Sequence, residues 1–465
     1  MSLDADIRAV AEVLNGGRKV TIISHIDADG IASEAILREA LGRAGVPNRS
    51  VFLRQLEPLM LRLIPRDGSI KLFSDLGAGQ QQLLEEHRFG EDEVVIIDHH
   101  VGQPGTLRYI QANGTAHGLT KMSAAGIAYL VAKAIDSGNR DLAKLAVIGN
   151  VGDMMAREDG RLVGPAGKIV EDGVAHGNIE RREHDLNIFG ISTRPLHVCL
   201  AYCDDPFIPG VSNNQQGALR FLSRLGIRLK NERKQWLVWD DLSIEERRVV
   251  TSALVQQLIA SSGQIDRLLS ESYLFPGERE RTPLRNAQEF ATFLNACGRW
   301  ARPEVGSEVC RGDRGVSYRE AEHLLTNHRA VIRDLLQHIL DHGVTELSRL
   351  QHIHVHNLYP DTVVGIGAGM ALSRLNWQKP IMILCSLPED PCLTKVSMRT
   401  TEQVSKRGID LQLALSIAAA AVGGAGGGHR VAAGAFIPAE AEPRFIAHVN
   451  RLLEEQHDKA CPGNC

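Results

Sequence analysis

Val94-Val95-Ile96-Ile97-Asp98-His99-His100 is a β-branched apolar run that stops abruptly on an acid and two imidazoles. A stretch with no polar alternation reads as a strand buried on both faces, as in a parallel sheet covered by helices. Open α/β sheets bind their ligands at the carboxyl ends of such strands. Two more runs end the same way. Lys19-Val20-Thr21-Ile22-Ile23-Ser24 leads into His25-Ile26-Asp27-Ala28-Asp29-Gly30, and Ile70-Lys71-Leu72-Phe73-Ser74 leads into Asp75. Three strand ends would thus bring carboxylates and imidazoles to one rim of a sheet, which is the arrangement of a metal site with room for two ions.

At 465 residues the chain exceeds an ordinary domain, so two or three are expected. Hydrophobic content of 43% and charged content of 23% are ordinary for a soluble globular protein. No apolar run reaches the roughly 18 residues of a membrane span. The start, Met1-Ser2-Leu3-Asp4-Ala5-Asp6, lacks the basic and apolar parts of a secretion signal, so a cytoplasmic protein is expected. The cysteines (Cys199, Cys203, Cys297, Cys310, Cys385, Cys392, Cys461 and Cys465) form no paired Cys-x-x-Cys array and read as reduced, mostly buried thiols. The net charge of −4 neither favours nor excludes nucleic acid, because a local basic groove suffices.

Residues 1–190 alternate strand-like and helix-like segments, as βαβ units do. Helices are expected from Ile31, across Ser123–Val131 and across Leu142–Ile148, the last leading into Gly149-Asn150-Val151-Gly152-Asp153. Residues 191–330 change character. Gly, Pro and Asn cluster from Asp204 to Gly217, a polar helical stretch follows, and Ser243 with Glu246 predicts a capped helix start. The span from Gly277 to Arg314 is rich in Arg, Gly and Pro. The whole segment reads as a helical connector or insert. Residues 331–465 form a second, smaller α/β unit. Its strands are expected at His352–Leu358, Pro380–Cys385 and Thr394–Arg399, with a helix over Asp410–Ala421, a glycine run Gly423–Gly428, and an apolar return Val431–Ile437.

Hydrolysis of a phosphodiester at neutral pH needs an activated water and neutralised phosphate charge, which two divalent ions roughly 3.5–4 Å apart supply. Mixed carboxylate and imidazole donors suit Mn²⁺, whereas an all-oxygen shell would favour Mg²⁺. His25, Asp27, Asp29, Asp75, His99 and Asp153 are such a mixed set. In an extended loop Asp27 and Asp29 would point the same way, and Asp75 would bridge. Taken singly, Asp-x-Asp-Gly also reads as a turn and Asp75 as a helix cap. Asp98-His99-His100 has no packing purpose at a sheet edge.

His25-x-Asp27-x-Asp29-Gly30, Asp75, Asp98-His99-His100 and Asp153 together resemble the motifs of the DHH phosphoesterase superfamily. Gly426-Gly427-Gly428-His429 followed by Ala432-Ala433-Gly434 resembles the signature of the DHH-associated domain. The stretch from Thr193-Arg194-Pro195 through Asp205–Gly210 to Phe221–Ile227 is similar to the middle of archaeal RecJ-like exonucleases. The resemblance implies that His25, Asp27 and Asp75 hold one Mn²⁺ and that Asp29, Asp75, His99 and Asp153 hold the second. Asp98 would orient a ligand imidazole, and His100 would contact the scissile phosphate. Bacterial RecJ enzymes carry an acid where this chain has His25, a histidine that is closer to the oligonucleotide, cyclic-dinucleotide and pyrophosphate branches.

The glycine run lacks the Lys-Ser/Thr of a P-loop and reads as a turn whose backbone approaches a phosphate or base, or as a flexible hairpin. Ser397 and Arg399 share one strand face and could hold a second phosphate. With Gly426, Gly427, Gly428 and His429 they form the expected substrate-binding set, in an active site at an interdomain cleft. Arg220, Arg224, Arg228, Lys230, Arg233 and Lys234, with Trp236 and Trp239, read as a solvated face or a track for a single strand. His352, His354 and His356 read as an ordinary strand face, with no acid partner. The expected activity is Mn²⁺-dependent exonucleolytic cleavage of single-stranded DNA or RNA. The alternatives are a phosphodiesterase for short oligonucleotides, cyclic dinucleotides or phosphoadenosine phosphate, and a replisome-associated scaffold. A scaffold would be expected to have lost ligands that are all present here, and a nuclease docking on replisome or repair proteins combines both.

Overall fold

In the computed structural model the apolar runs fold as β1 (Val20–His25), β2 (Asn48–Leu53), β3 (Ile70–Ser74), β4 (Val94–Asp98) and β5 (Ile110–Asn113). They form one parallel sheet in the order β2-β1-β3-β4-β5. The structure describes every residue except Met1, Leu59, Asp204, 262–264, Asp266, 388–389 and 461–465. Cys461, Cys465 and the Asp204 that heads the Gly/Pro/Asn cluster therefore lie outside the described residues. The chain divides into two units, Met1–Leu325 and Thr326–Cys465.

The helices that accompany this sheet up to residue 176 are α1 (Leu3–Leu14), α2 (Ala28–Arg43), α3 (Gln81–Glu86), α4 (Ala124–Ile135), α5 (Ala143–Gly152) and α6 (Gly164–His176). Successive strand residues turn to opposite faces. Ile22, Leu72 and Ile97 enter a core shared with α1, α2, α4, α5 and α6, while Ile23, Phe73 and Ile96 enter a second core with Leu84 of α3. Both faces are covered, which is why the strands carry unbroken apolar runs. The chain leaves β1 for β2 on one side and returns to β3 on the other. The carboxyl ends of β1 and β3 therefore flank a topological switch point, the usual ligand crevice of such sheets.

The middle segment divides between two cores. β6 (Glu180–Leu186) and β7 (Leu269–Leu274) pair antiparallel around α7 (Leu196–Ala201), α8 (Gln215–Arg224) and α9 (Ile244–Ala260). Residues from Leu186 to Leu268 there build a core of their own. Ser243 and Glu246 form the expected reciprocal cap of α9. Trp239 is buried, with Nε1–H donating to Asp185 at 2.5 Å, so of the two tryptophans in the basic stretch only Trp236 reaches solvent, beneath Lys230. Then α10 (Ala287–Arg299) and α11 (Pro303–Cys310) return Phe290, Phe293, Leu294 and Val309 to the first unit's main core. The Arg, Gly and Pro content of Gly277–Arg314 hides this helical apolar period. The segment expected as a helical connector or insert divides into a subdomain with its own core and two helices that join the first unit's main core.

The long helix α12 (Val316–His342) contains the division between the units. The second unit holds β8 (Thr345–Glu346), β9 (Gln351–His354), β10 (Ile381–Ser386), β11 (Leu393–Arg399), β12 (Ala425–His429) and β13 (Ala432–Pro438), in the order β12-β13-β11-β10-β9-β8. Its helices are α13 (Asp361–Ala371), α14 (Glu402–Lys406), α15 (Leu411–Ala421) and α16 (Glu442–Ala460). Of the glycine run, Gly423 lies in the turn after α15, and Ala425–His429 pairs with β13 as the edge strand of a hairpin. Five of the six described cysteines are buried and Cys392 is exposed. Among the described residues no helix is long and apolar enough to cross a membrane.

Candidate metal centre

Each sequence motif sits at the carboxyl edge of the parallel sheet. His25 ends β1, Asp75 follows β3, Asp98 ends β4 with His99 and His100 after it, and Asp153 caps the carboxyl end of α5. Asp27 and Asp29 are not in an extended loop. Asp27 is the N-cap of α2, accepting the Gly30 N–H at 2.9 Å, and Asp29 lies in the helix's first turn. The helix starts this early because Gly30 nestles against the β1 end. A Cβ at Gly30 would stand 2.4 Å from the His25 carbonyl oxygen.

The six residues nonetheless converge. His25 Nδ1 lies 3.0 Å from Asp27 Oδ2 and 3.4 Å from Asp75 Oδ2. His99 Nε2 lies 3.1 Å from Asp153 Oδ2, 3.4 Å from Asp75 Oδ1 and 3.9 Å from Asp29 Oδ2. The donor atoms form two compact groups, His25/Asp27/Asp75 and Asp29/His99/Asp153, with a third around Asp75, Asp98, His99 and His100. Asp75 takes part in two of them. It holds a left-handed backbone, φ 60°, that aspartate tolerates better than most residues.

These residues fit divalent cations. Asp75 Oδ1 and His99 Nε2 are buried with no hydrogen-bond partner among the described residues, a costly state that a shared cation relieves. Burial, with Asp75 and Asp153 nearby, holds the Asp29 carboxyl well above the usual range, and burial likewise raises Asp153. Burial opposes charge on the imidazoles too, but carboxylates outweigh it. Asp27 and Asp75 hold His25 well above its ordinary value, and Asp153 and Asp75 push His99 up to about 12. Like charges packed this closely are relieved by bound protons or by a cation that displaces them.

The supports around these residues are tertiary. Asp29 is fully buried and accepts the Ala124 and Ala125 N–H groups at 2.8 and 2.9 Å, at the amino end of α4. His25 Nε2 lies 3.2 Å from the Arg54 carbonyl. Asn113 donates to the His100 carbonyl at 3.0 Å, and Thr115 donates to that of His99. Asp98 does not touch the His99 ring. Its Oδ1 accepts from the His99 and His100 backbone at 2.7 and 3.2 Å and sits 2.8 Å from His100 Nδ1, while Oδ2 accepts the Ala78 N–H. Asp98 thus aims His100, whose ring is half exposed, and raises its pKa.

In the second unit Ser397 lies opposite Gly434, which lies opposite Gly427. Arg399, Ala432 and His429 form the next row. Directly paired residues share a face, so Ser397, Arg399, Gly427 and His429 stand on one side of the sheet. Gly426 and Gly428 turn the other way. A Cβ at Gly426 would sit 2.8 Å from the Leu415 carbonyl of α15, and one at Gly428 2.6 Å from that of Ala432. Packing accounts for those two glycines. Arg399 donates to its neighbour's carbonyl at 2.9 Å, and burial lowers its pKa.

Residues 19–150 match the DHH family, N-terminal domain, residues 188–269 the DHH-CID domain, and residues 353–455 the DHHA1 domain. The middle match coincides with the subdomain that has its own core. The chain belongs to the DHH phosphoesterase superfamily and resembles its RecJ-like members. An uncharacterized protein of Methanocaldococcus jannaschii is 26% identical over 464 residues, covering 97% of this chain and 96% of that protein. RecJ of Thermus thermophilus in complex with Mn²⁺ superposes with a TM-score of 0.60 at 17% identity, covering 97% of this chain. This chain spans only 55% of that RecJ's length. CDC45 of Entamoeba histolytica superposes with a TM-score of 0.64 at 12% identity, covering 96% of this chain and 97% of that one. At these identities the structural likenesses establish the fold.

Proposed function

We propose that the chain is a two-metal phosphodiesterase that degrades single-stranded DNA or RNA as a RecJ-like exonuclease. The observation that carries this reading is the convergence on Asp75. Its two oxygens face His25 and His99, which belong to different donor groups. His25, Asp27 and Asp75 would hold one ion, and Asp29, Asp75, His99 and Asp153 the other. Mn²⁺ is the favoured ion, with Mg²⁺ the alternative, in keeping with the mixed donor set and with the RecJ structures in complex with each. Bound there, the ions supply an activated water and neutralise phosphate charge.

The chain's own groups do the rest. Asp98 raises the His100 pKa and aims the ring outward, so in its protonated form Nε2–H would donate to a phosphate oxygen as charge develops. Ser397, Arg399, His429 and the backbone of Gly426–Gly428 bind the substrate. Arg399 serves as a charged donor that has no ion-pair partner among the described residues. A cytoplasmic location and docking on replisome or repair proteins accompany this reading, the latter in keeping with the CDC45-like fold.

The test uses full-length protein with Mn²⁺ and end-labelled single strands of about 20–30 nucleotides, long enough to span a binding groove. Dinucleotides and cyclic dinucleotides run in parallel, and an Asp98→Ala/His99→Ala variant is the blank. Stepwise release of mononucleotides, absent in the blank, is expected. Turnover of the small substrates alone would replace the exonuclease with a small-substrate phosphodiesterase, and no turnover with metal bound would favour a scaffold.

A further inference from the structure

The second unit carries another concentration of metal-ligating side chains, which the phosphoester chemistry does not use. His338 and His342 lie one turn apart on α12, with ring centroids 4.0 Å apart. His352 and His354 lie on β9, and the ring of His356 stands 4.5 Å from that of His354. All five imidazoles line one open cavity of about 700 Å³, together with Glu442 at the start of α16. The expectation of a strand face with no acid partner is thereby corrected, because the acid comes from a helix about ninety positions downstream.

The hydrogen bonds assign the ring protons. His342 Nδ1 lies 3.0 Å from the His338 carbonyl oxygen, which only accepts, so the proton is on Nδ1 and Nε2 keeps its lone pair. His354 has the opposite tautomer. Its Nδ1 accepts the His356 N–H at 2.9 Å, leaving Nε2–H to face Glu442 Oε1 at 3.2 Å. Glu442 is itself held by the Thr394 hydroxyl. His354 is thus a fixed brace beside His356. Among the described residues His338, His342, His352 and His356 have no carboxylate ion-pair partner.

We infer that His338, His342 and His356 bind one borderline transition ion of the Zn²⁺ class, with the His354–Glu442 pair orienting His356. Two histidines four apart on a helix present both imidazoles to one ion. An imidazole set suits Zn²⁺, Ni²⁺ or Cu²⁺ and disfavours Mg²⁺, which distinguishes this site from the strand-end centre. The donor atoms of the three rings do not lie within 4.8 Å of one another as they stand, and the His338 and His342 rings are stacked; His342 and His356 are exposed, so their rings can turn toward an ion. The ion would clamp the end of α12 to the end of β9, within the second unit.

The test measures Zn²⁺ stoichiometry and affinity in the full chain by equilibrium dialysis and by competition with a chromophoric chelator. Against wild type, His342→Ala/His356→Ala is expected to bind about one equivalent less, with that equivalent weakened by more than about 100-fold. In an Asp98→Ala/His99→Ala background the same equivalent should persist until the histidine pair is removed. Without metal, the melting temperature of the histidine-pair variant should equal wild type. With Zn²⁺, the increment that it lacks reports the site. Equal stoichiometry and affinity in wild type and the histidine-pair variant would overturn the inference. So would an equal Zn²⁺-dependent rise in melting temperature.

Discussion

Gly149 on α5 faces Asp29 on α2 so closely that a methyl group at Gly149 would stand 2.5 Å from Asp29 Oδ1 and 2.4 Å from Ala125 Cβ. The helix that ends in Asp153 is thus packed against the carboxylate that shares His99 with it. Gly149→Ala is expected to push Asp29 off the α4 amides. The cost should be about 1–3 kcal/mol of stability from overpacking, with a loss of Mn²⁺ affinity. Thermal melts with and without Mn²⁺, together with calorimetric titration, check both. An unchanged Mn²⁺ affinity would mean that Asp29 does not serve the centre.

Asp75→Asn keeps the shape and tolerates the left-handed backbone, but removes the charge that faces both His25 and His99. Loss of a shared ligand should exceed the roughly 10–100-fold affinity cost of losing an outer partner. Phosphodiesterase activity should fall with it. Metal titration of the variant decides, and two ions bound at wild-type affinity would remove Asp75 from the centre.

Metal binding should release protons. In the metal-free chain Asp27 and Asp75 raise the His25 pKa well above its ordinary value, and Asp153 and Asp75 push that of His99 up to about 12, despite burial, so both rings keep their protons to higher pH than in the unfolded chain. Those protons contribute stability that is complete below the unfolded imidazole value and is lost as pH rises through the folded one. An ion at either ring must displace its proton, so Mn²⁺ affinity should rise with pH, the two imidazoles alone contributing a log–log slope of up to about 2. Calorimetry in buffers of different ionisation enthalpy counts the protons. A slope of zero across pH 6–8 would contradict the imidazole ligands.

Asp98→Asn removes the anion that raises the His100 pKa. The alkaline limb of the pH–rate profile should move to lower pH, because a less stabilised imidazolium loses its proton sooner. At neutral pH kcat should fall by about 100-fold or more, the scale of losing one oriented donor. Proton NMR of the ring and the rate profile should shift together.

Arg399→Gln should raise KM for single strands while leaving Mn²⁺ affinity unchanged, since Arg399 sits in the second unit with a partly buried guanidinium and no ion-pair partner among the described residues. A rise of about 10-fold corresponds to one charge-assisted hydrogen bond of roughly 1.5 kcal/mol. Steady-state kinetics at saturating Mn²⁺ separate the two effects. A change confined to kcat would assign Arg399 another role.

The parallel sheet, the strand ends and the residues that meet there were legible in the chain, because a strand buried on both faces leaves an unbroken apolar run and an abrupt polar stop. Val94–Asp98 needs no partner to be read, and neither do the Ser243 cap or the Asp410–Ala421 helix. Three features were decided only by tertiary structure. Asp29 belongs to a helix rather than a loop, because α4 offers it two amides from 95 and 96 positions away. Gly426–Gly428 is a strand rather than a turn, because β13 supplies a ladder, while α15 leaves no room for a side chain at Gly426 and β13 none at Gly428. His354 gains its acid from Glu442, 88 positions on. Periodicity and motif report what a segment does with its own neighbours along the chain. A hydrogen bond or a missing Cβ that answers a distant element leaves no local trace, so those relations became readable only when the chain had closed on itself.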